Sequence, residues 1–404
     1  MNERQRAWIG ANHPWLLVAL TFLVFGGAVV LTGGLTHDIK NDEVHFWETT
    51  RDYFVQPFPP SAESLRSYPE LITPLSYIIW GQLELLTGQG IFAGRIVNLL
   101  MALAIVLLLA GSRQSDRADG LLTVLGILAY PYFLALSIHL YTDMIAAFFV
   151  VFGLHFHLRG QRPASCVFFM LAIATRQFVV QIPAALAAWE ALRWLRKEKA
   201  ASLASVVSPG LACVSLLVWV AFWGGLSPQP GIDRWVPLYP APMMSPFEFI
   251  LHYGLYFLVC VGFYFAFIEA LIFRDLPENA SLARSWVMAV ALVLAVLFWI
   301  SPPLLTAAHP GGAFGRVARA LLPGEVGDVV RGTLYYALAL FGVVRIIKAG
   351  GLALFIAMAG TVMSMKSQIP WEKYLLLSLL PLWYLRSRPN QLGGLPAAWA
   401  SGTR

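Results

Sequence analysis

The chain has 404 residues, of which 58% are hydrophobic and only 12% are charged. Soluble globular domains have a smaller apolar share, so this composition excludes a soluble enzyme or binding module. The net charge of +6 does not indicate nucleic-acid binding, because the basic residues stand in short loops beside apolar runs, where they set membrane orientation. We therefore expect an integral membrane protein surrounded by membrane lipids, with no nucleic-acid partner.

Apolar runs long enough to cross a hydrocarbon layer of about 30 Å recur from residue 15 to residue 385. Runs of this length span membranes as helices, so the expected fold class is all-α, a polytopic membrane helix bundle. We predict one membrane-embedded domain, residues 1–388, and a disordered tail, residues 389–404. About twelve transmembrane helices are predicted, at approximately 15–35, 92–111, 120–139, 143–158, 164–175, 177–192, 203–223, 249–272, 285–304, 330–347, 351–365 and 374–385.

The segment LITPLSYIIWGQLELLTG, residues 71–88, decides the sidedness of everything that follows it. If it lies along the interface and the amino-terminus is cytoplasmic, 17 of the 28 Lys and Arg residues fall on the cytoplasmic side. If it crossed the membrane, the basic segment 192–202 and every later basic loop would lie outside, against the positive-inside bias. The interfacial placement is therefore the better prediction.

Two interfacial helices are thus expected in the first outer loop. One is the amphipathic segment 71–88, with Tyr77 and Trp80 at headgroup depth. The other is residues 44–55, whose aromatic side chains would face lipid or protein. Charged side chains are unusually dense for this chain in residues 37–54, which include most of the segment 44–55 and precede the segment 71–88.

With this topology, four polar clusters reach the same non-cytoplasmic surface. They are residues 37–54, 141–143, 174–177 and 371–374. The outer side then holds 14 of the 22 acidic residues. A transporter would more often place ionisable groups near the midplane on broken helices, so this distribution favours a site at the outer membrane boundary.

The outer acids supply the groups needed for general base catalysis. Asp42 and Glu43 directly follow the first span, where a fixed carboxylate can accept a proton from an attacking hydroxyl. Asp143 could orient that hydroxyl, hold a sugar or coordinate a divalent cation. A single outer-loop Asp is more often a solvated charge, so the prediction depends on their joint placement.

The outer cations suit a phosphate. Arg176, followed by Gln177, stands between two apolar runs, where its guanidinium could bind a phosphate through two hydrogen bonds. Lys373 beside Tyr374 could act in the same way. Pairing of Arg176 with Asp143, or snorkelling to lipid headgroups, is an equally weighted alternative. Together these groups indicate a reaction in which a lipid phosphate is displaced from a sugar and the anomeric carbon inverts. This reaction needs no cofactor, and the use of a divalent cation is left open.

Three motifs resemble a known pattern. They are NDEVHFW at residues 41–47, YPELITPLSY at 68–77 and YTD at 141–143. They are similar to the acidic pair, the second interfacial helix and the following outer acid of GT-C class membrane glycosyltransferases, which use polyprenyl-phosphate sugars. The resemblance covers residues 14–194 and, later, only WEKYLLLSLLP at 371–381.

More narrowly, YTD with TRQ at residues 175–177, ITP at 72–74 and HP at 309–310 is similar to the α-1,2-glucosyltransferases that complete the dolichol-linked oligosaccharide. The resemblance implies a hexosyltransferase, with glucose the favoured sugar. It implies Asp42 as the base, supported by Glu43 and Asp143, and Arg176 near the donor phosphate. Further substrate contacts are expected from Tyr141, Gln177, Lys373, Tyr374 and His309.

The expected donor is a polyprenyl-phosphate-linked sugar, and the acceptor is left open among glycan, lipid and protein. The compact loops favour a bacterial inner membrane with a periplasmic site, and an endoplasmic reticulum membrane is the eukaryotic equivalent. Two other functions are retained as alternatives. One is a transporter or flippase of lipid-linked sugars, and the other is a non-catalytic membrane scaffold whose acids do not converge on one cavity.

Overall fold

The structure is a computed structural model and describes residues 3–40, 42–111, 117–198, 201–237, 248–273, 285–303, 312–367 and 369–388. These residues are mostly helical, and no strand occurs among them. The predicted all-α fold class is therefore confirmed. The expected tail, residues 389–404, lies outside the described residues, and so does His309.

The described residues form twenty α-helices. In chain order they are α1 (Glu3–Thr21), α2 (Gly27–Leu31), α3 (Glu43–Tyr53), α4 (Ala62–Ser67), α5 (Leu75–Thr87), α6 (Ile91–Ala110), α7 (Arg117–Leu128), α8 (Pro131–Ile138), α9 (Thr142–Leu158), α10 (Arg162–Thr175), α11 (Gln181–Leu195), α12 (Leu203–Trp223), α13 (Gln229–Trp235), α14 (Leu251–Val261), α15 (Ile268–Phe273), α16 (Ser285–Ile300), α17 (Ala313–Leu321), α18 (Gly324–Ala349), α19 (Gly351–Met365) and α20 (Leu376–Arg386). A π-helical turn, Phe22–Gly26, joins α1 to α2, and another, Gly262–Phe267, joins α14 to α15.

Several helices are long and apolar enough to cross a membrane, which indicates a membrane-embedded protein. Within the described residues, five helices are long and apolar enough to cross a membrane. A sixth span is obtained if α7 and α8, which are bent by 77° relative to each other, are counted as one. Four shorter apolar helices, α9, α10, α16 and α19, coincide with other predicted spans. The predicted count of about twelve is therefore not confirmed. The five are Trp8–Leu31, Ile91–Ala110, Leu203–Trp223, Leu251–Phe273 and Gly324–Ala349.

The chain divides into two compact units. The first unit comprises Pro14–Gly111 and Tyr132–Pro240, and the second unit comprises Met1–His13, Ser112–Pro131 and Ala241–Arg404. In the first unit α9 is the central helix, buried along nearly its whole length and packed against α10 and α6. A polar residue in the first turn of α9 is therefore held inside the protein.

The helix α5 is short, and its predicted placement along the interface stays a prediction. Its 13 residues reach about 20 Å at 1.5 Å per residue, which is short of the hydrocarbon thickness. The placement of Tyr77 and Trp80 at headgroup depth stays a prediction, but neither side chain faces lipid. Both are enclosed by protein, with 0% and 1% of their surface exposed, and their rings lie 6.0 and 6.5 Å from the ring of Phe46 in α3.

The packing of α5 against the end of α3 requires a glycine. A Cβ at Gly81 would collide with the backbone carbonyl of Phe54. We therefore expect Gly81→Ala to destabilise the protein by about 1–3 kcal/mol, as overpacking typically does, and to lower its melting temperature in detergent.

The matched control is Gly210→Ala in α12, where an added Cβ meets nothing within 4 Å. Alanine is a better helix former than glycine, so this variant should melt at the wild-type temperature or above. Equal melting temperatures for the two variants would show that the contact between α5 and Phe54 is not tight.

Candidate active site

Three segments of the first unit bring most of the predicted site residues together. Asp42 stands at the amino-terminus of α3, Tyr141 and Asp143 lie at the start of α9, and Arg176 directly follows α10. The Tyr141 ring meets Phe46 of α3 edge to face, with ring centroids 5.9 Å apart. Burial raises the pKa of the Tyr141 hydroxyl, and the nearby charges of Asp42 and Asp143 raise it further. Tyr141 therefore lies within the electrostatic reach of both acids.

Asp42 is the accessible acid of the site. Its side chain is 24% exposed, whereas the side chains of Glu43 and Asp143 are 0% exposed. The positive end of the α3 dipole favours its negative charge. A partly exposed carboxylate at a helix amino-terminus can receive a proton from a bound substrate.

Glu43 has the opposite environment. Its Oε1 accepts hydrogen bonds from Arg95 Nε at 2.9 Å and from the Leu140 backbone at 2.6 Å. Its Oε2 accepts from Arg95 Nη2 at 2.8 Å and from the Lys40 backbone at 3.2 Å. Burial alone would raise the pKa of Glu43, but these donors outweigh burial and lower it. Glu43 therefore acts as a structural anchor and does not suit proton acceptance.

Arg95 is a site residue that was not among the predicted ones. Glu84, the acid that most closely precedes it in the sequence, accepts a hydrogen bond from the Gly90 backbone at 2.6 Å. Arg95 is fully buried and, besides Glu43, its Nη1 donates to the carbonyls of Leu35 and His37, each at 2.8 Å. It thereby fixes the loop that leads to Asp42.

Asp143 forms a buried ion pair with Arg176. The distance from Oδ2 to Nη1 is 2.6 Å, and Nη1 also lies 3.3 Å from the Thr142 hydroxyl. The pairing alternative for Arg176 is thus the one observed, and phosphate binding is not tested. Among the described residues no donor reaches Oδ1 of Asp143, although this oxygen is buried. Buried polar atoms normally have a partner, so this oxygen is suited to a substrate hydroxyl.

The side-chain amide of Gln177 forms hydrogen bonds to the backbone, so little of its hydrogen-bonding capacity remains for a substrate. Its Nε2 donates to the Leu71 carbonyl, and its Oε1 accepts from the Thr73 backbone at 3.2 Å. The Thr73 hydroxyl donates to the Ile173 carbonyl at 2.6 Å. These bonds attach the ITP segment to the end of α10. Gln177 was predicted to contact substrate, and its observed contacts position the segment before α5.

His45 and Glu70 complete the site and were missed from the sequence. His45 Nδ1 lies 2.8 Å from Glu70 Oε1, and His45 Nε2 lies 3.9 Å from Asp42 Oδ1. Burial alone would lower the pKa of His45, but the two carboxylates outweigh it and raise the pKa to about 9. The protonated imidazole therefore bridges Asp42 and Glu70. The sequence did contain one signal for this contact: His45 stands three residues after Asp42, and side chains three apart on a helix are neighbours.

Lys373 and Tyr374 belong to the second unit. The Lys373 side chain is mostly buried, and its ammonium lies 3.8 Å from the centroid of the Trp371 ring. The neighbouring Glu372 carboxylate accepts hydrogen bonds from the hydroxyls of Tyr256 and Tyr264 at 2.6 and 2.8 Å. The hydrogen bonds to Glu372 thus fix the position of the predicted outer loop. Phosphate binding by Lys373 stays a prediction.

The first unit therefore combines an accessible carboxylate, a protonated imidazole beside it, and a buried acid paired with a guanidinium. This set can accept a proton, orient a hydroxyl and attract a phosphate. Searches of known protein families, of curated proteins and of solved structures found no match.

The pair of Glu43 with Arg95 gives a stability prediction. Removal of one member of a buried ion pair leaves an uncompensated charge, which costs about 3–5 kcal/mol. We therefore expect Arg95→Met to lower the yield of folded protein and its melting temperature strongly. Glu48→Gln, which changes an exposed acid of the same helix, is the control and should melt like the wild type. Equal melting of both variants would show that the pair is dispensable.

The raised pKa of His45 predicts a pH dependence. Its folded-state pKa of about 9 exceeds the usual value of 6.5, so the stability it contributes is complete below pH 6.5 and is lost as pH rises through about 9. Melting curves of wild type and His45→Gln should therefore differ most at or below pH 6.5 and converge above pH 9. A constant difference across this range would contradict protonation of His45 in the folded protein.

Proposed function

We propose that the protein is a membrane glycosyltransferase of the GT-C type. It would move a hexose, with glucose favoured, from a polyprenyl-phosphate donor to an acceptor hydroxyl. The observation that carries the proposal is the placement of one accessible carboxylate, Asp42, near Tyr141 and the buried pair of Asp143 and Arg176. The sequence resemblance to that class supports the same assignment.

In the proposed reaction Asp42 accepts the proton of the acceptor hydroxyl as its oxygen attacks the anomeric carbon of the donor. The bond between that carbon and the phosphate oxygen breaks, and the polyprenyl phosphate leaves with the bonding electron pair. The anomeric centre inverts, because attack and departure occur on opposite faces of the sugar. General base catalysis of this kind contributes about 10²–10⁴-fold to a rate.

The neighbouring residues have separate roles in this proposal. Asp143 orients a sugar or acceptor hydroxyl through its buried Oδ1, and it holds Arg176 beside the departing phosphate. Glu43 and Gln177 position the loops and do not touch substrate. Lys373, Tyr374 and His309 remain proposed contacts to donor or acceptor. No step requires a cofactor, and a divalent cation near Asp143 would assist the phosphate leaving group.

The distribution of charge supports a site outside the cytoplasm. With the amino-terminus cytoplasmic and α5 along the interface, the cytoplasmic side receives 17 of the 28 basic residues. We propose about twelve crossings, several of them by the shorter helices α9, α10, α16 and α19, with α3 and α5 at the outer interface. The proposed location is the bacterial inner membrane with a periplasmic site, or the endoplasmic reticulum in a eukaryote. The acceptor is a glycan, a lipid or a protein.

Replacement of Asp42 tests the function. In cells that lack the protein, we expect mass spectrometry to find a glycan or lipid intermediate that is short of one hexose. Wild-type protein should restore the full product, and Asp42→Asn should reduce product formation by about 10²–10⁴-fold at equal protein level. Asp52→Asn, which alters an exposed acid at the other end of α3, should restore the product fully.

The same assay separates the proposal from a flippase. Loss of a flippase leaves the polyprenyl-phosphate sugar in the cytoplasmic leaflet, whereas loss of the transferase leaves it unused in the outer leaflet. Full product from Asp42→Asn, with the variant folded and present at wild-type level, would rule out Asp42 as the base. Donor confined to the cytoplasmic leaflet of cells without the protein would rule out sugar transfer in favour of a flippase.

A further inference from the structure

Two histidines from separate loops of the first unit meet beside the Glu43 anchor. His37 lies between α2 and α3, and His139 lies between α8 and α9. Their ring centroids are 4.7 Å apart, with the planes inclined by 49°. One ligand atom from each histidine and one carboxylate oxygen of Glu43 all lie within 4.8 Å of one another. The proposed transfer reaction does not use either histidine.

Hydrogen bonds to backbone carbonyls fix the tautomer of both rings. His37 Nδ1 lies 2.7 Å from the Asp38 carbonyl oxygen, and His139 Nδ1 lies 2.8 Å from the Ala135 carbonyl oxygen. A carbonyl oxygen can only accept, so each Nδ1 carries the hydrogen. In the neutral ring Nε2 then presents a lone pair. This is the arrangement of metal-bound histidines, which almost always donate their other ring N–H to a carbonyl, a carboxylate or water.

The Nε2 atom of His37 is an independent indication of a ligand. It is buried, and none of the described residues forms a hydrogen bond with it. Such an atom is uncommon, because most buried polar side-chain atoms have a partner. A bound cation would satisfy this lone pair.

Glu43 supplies the negative charge of the cluster. Its oxygens already accept four hydrogen bonds, of which the longest, from the Lys40 backbone at 3.2 Å, is the easiest to release. Arg95 neutralises much of this charge, so a dication would depend mainly on the imidazoles. That balance favours a metal that binds nitrogen ligands well over one that requires a set of oxygen ligands.

We propose that His37 and His139, with Glu43 as the third member, form a binding site for a zinc-class dication. Ligand atoms about 2.0–2.1 Å from zinc lie about 3.3 Å apart in a tetrahedral site, so the rings would move slightly together on binding. The ion would connect the loop that leads to Asp42 with the loop that leads to Tyr141. It would act as a clip between the two loops, and its presence does not depend on sugar transfer.

Metal binding to the full-length protein tests this site. The protein is purified without a polyhistidine tag, stripped with a chelator and titrated in detergent with Zn²⁺ or with Mg²⁺. We expect about one Zn²⁺ per chain, a higher melting temperature with Zn²⁺, and no effect of Mg²⁺. His37→Ala and His139→Ala should each weaken Zn²⁺ binding by at least about 100-fold. Loss of a metal ligand costs more than loss of a residue that only hydrogen-bonds to a ligand. His252→Ala in α14 is the control and should bind like the wild type.

Absence of Zn²⁺ binding to the wild type, or equal binding by wild type and either cluster variant, would overturn the site. Chemical footprinting of the wild-type protein tests the site even where the variants do not fold. Zn²⁺ should protect His139 from carbethoxylation, and lack of protection at saturating Zn²⁺ would equally overturn it. Metal binding is measured without sugar transfer. The metal site can therefore be disproved while the proposed function stands, and the proposed function can be disproved while the metal site stands.

Discussion

The buried ion pair between Glu43 and Arg95 is the constraint on which the rest of the site depends. Both side chains are fully buried, and charges are stable there only when hydrogen bonds replace the lost water. The backbones of Lys40 and Leu140 supply that replacement for Glu43. One carboxylate therefore holds the start of α3, the helix α6 and the chain just before α9, and the pair places Asp42 and Tyr141 near each other.

The three acids of the site differ through their surroundings. Glu43 accepts four hydrogen bonds, Asp143 shares a buried pair with Arg176, and Asp42 keeps part of its surface exposed beside a protonated His45. Similar carboxylates can thus take different tasks, because burial and partners set which one can exchange a proton. Asp42 is the acid whose environment leaves it open to a substrate.

Buried polar contacts also fix the surrounding segments. Gln177 and Thr73 attach the chain before α5 to α10, and Glu372 in the second unit accepts hydrogen bonds from two tyrosines. In a protein whose surface is largely apolar, such contacts specify which segments meet more precisely than apolar packing does. The proposed metal clip at His37 and His139 would be a further contact of this type.

The sequence by itself determined the all-helical class and the place of several long apolar helices, because the length of an apolar run is a local property. The predicted span 203–223 coincides with α12, and the prediction for 92–111 differs from α6 by one residue at each end. Only the tertiary structure decided which charges pair. Arg95 meets Glu43, 52 residues away, and Glu43 meets Leu140, 97 residues away. Contacts over such separations, like the burial of Tyr77 and Trp80, follow from packing and leave no periodic signal in the chain.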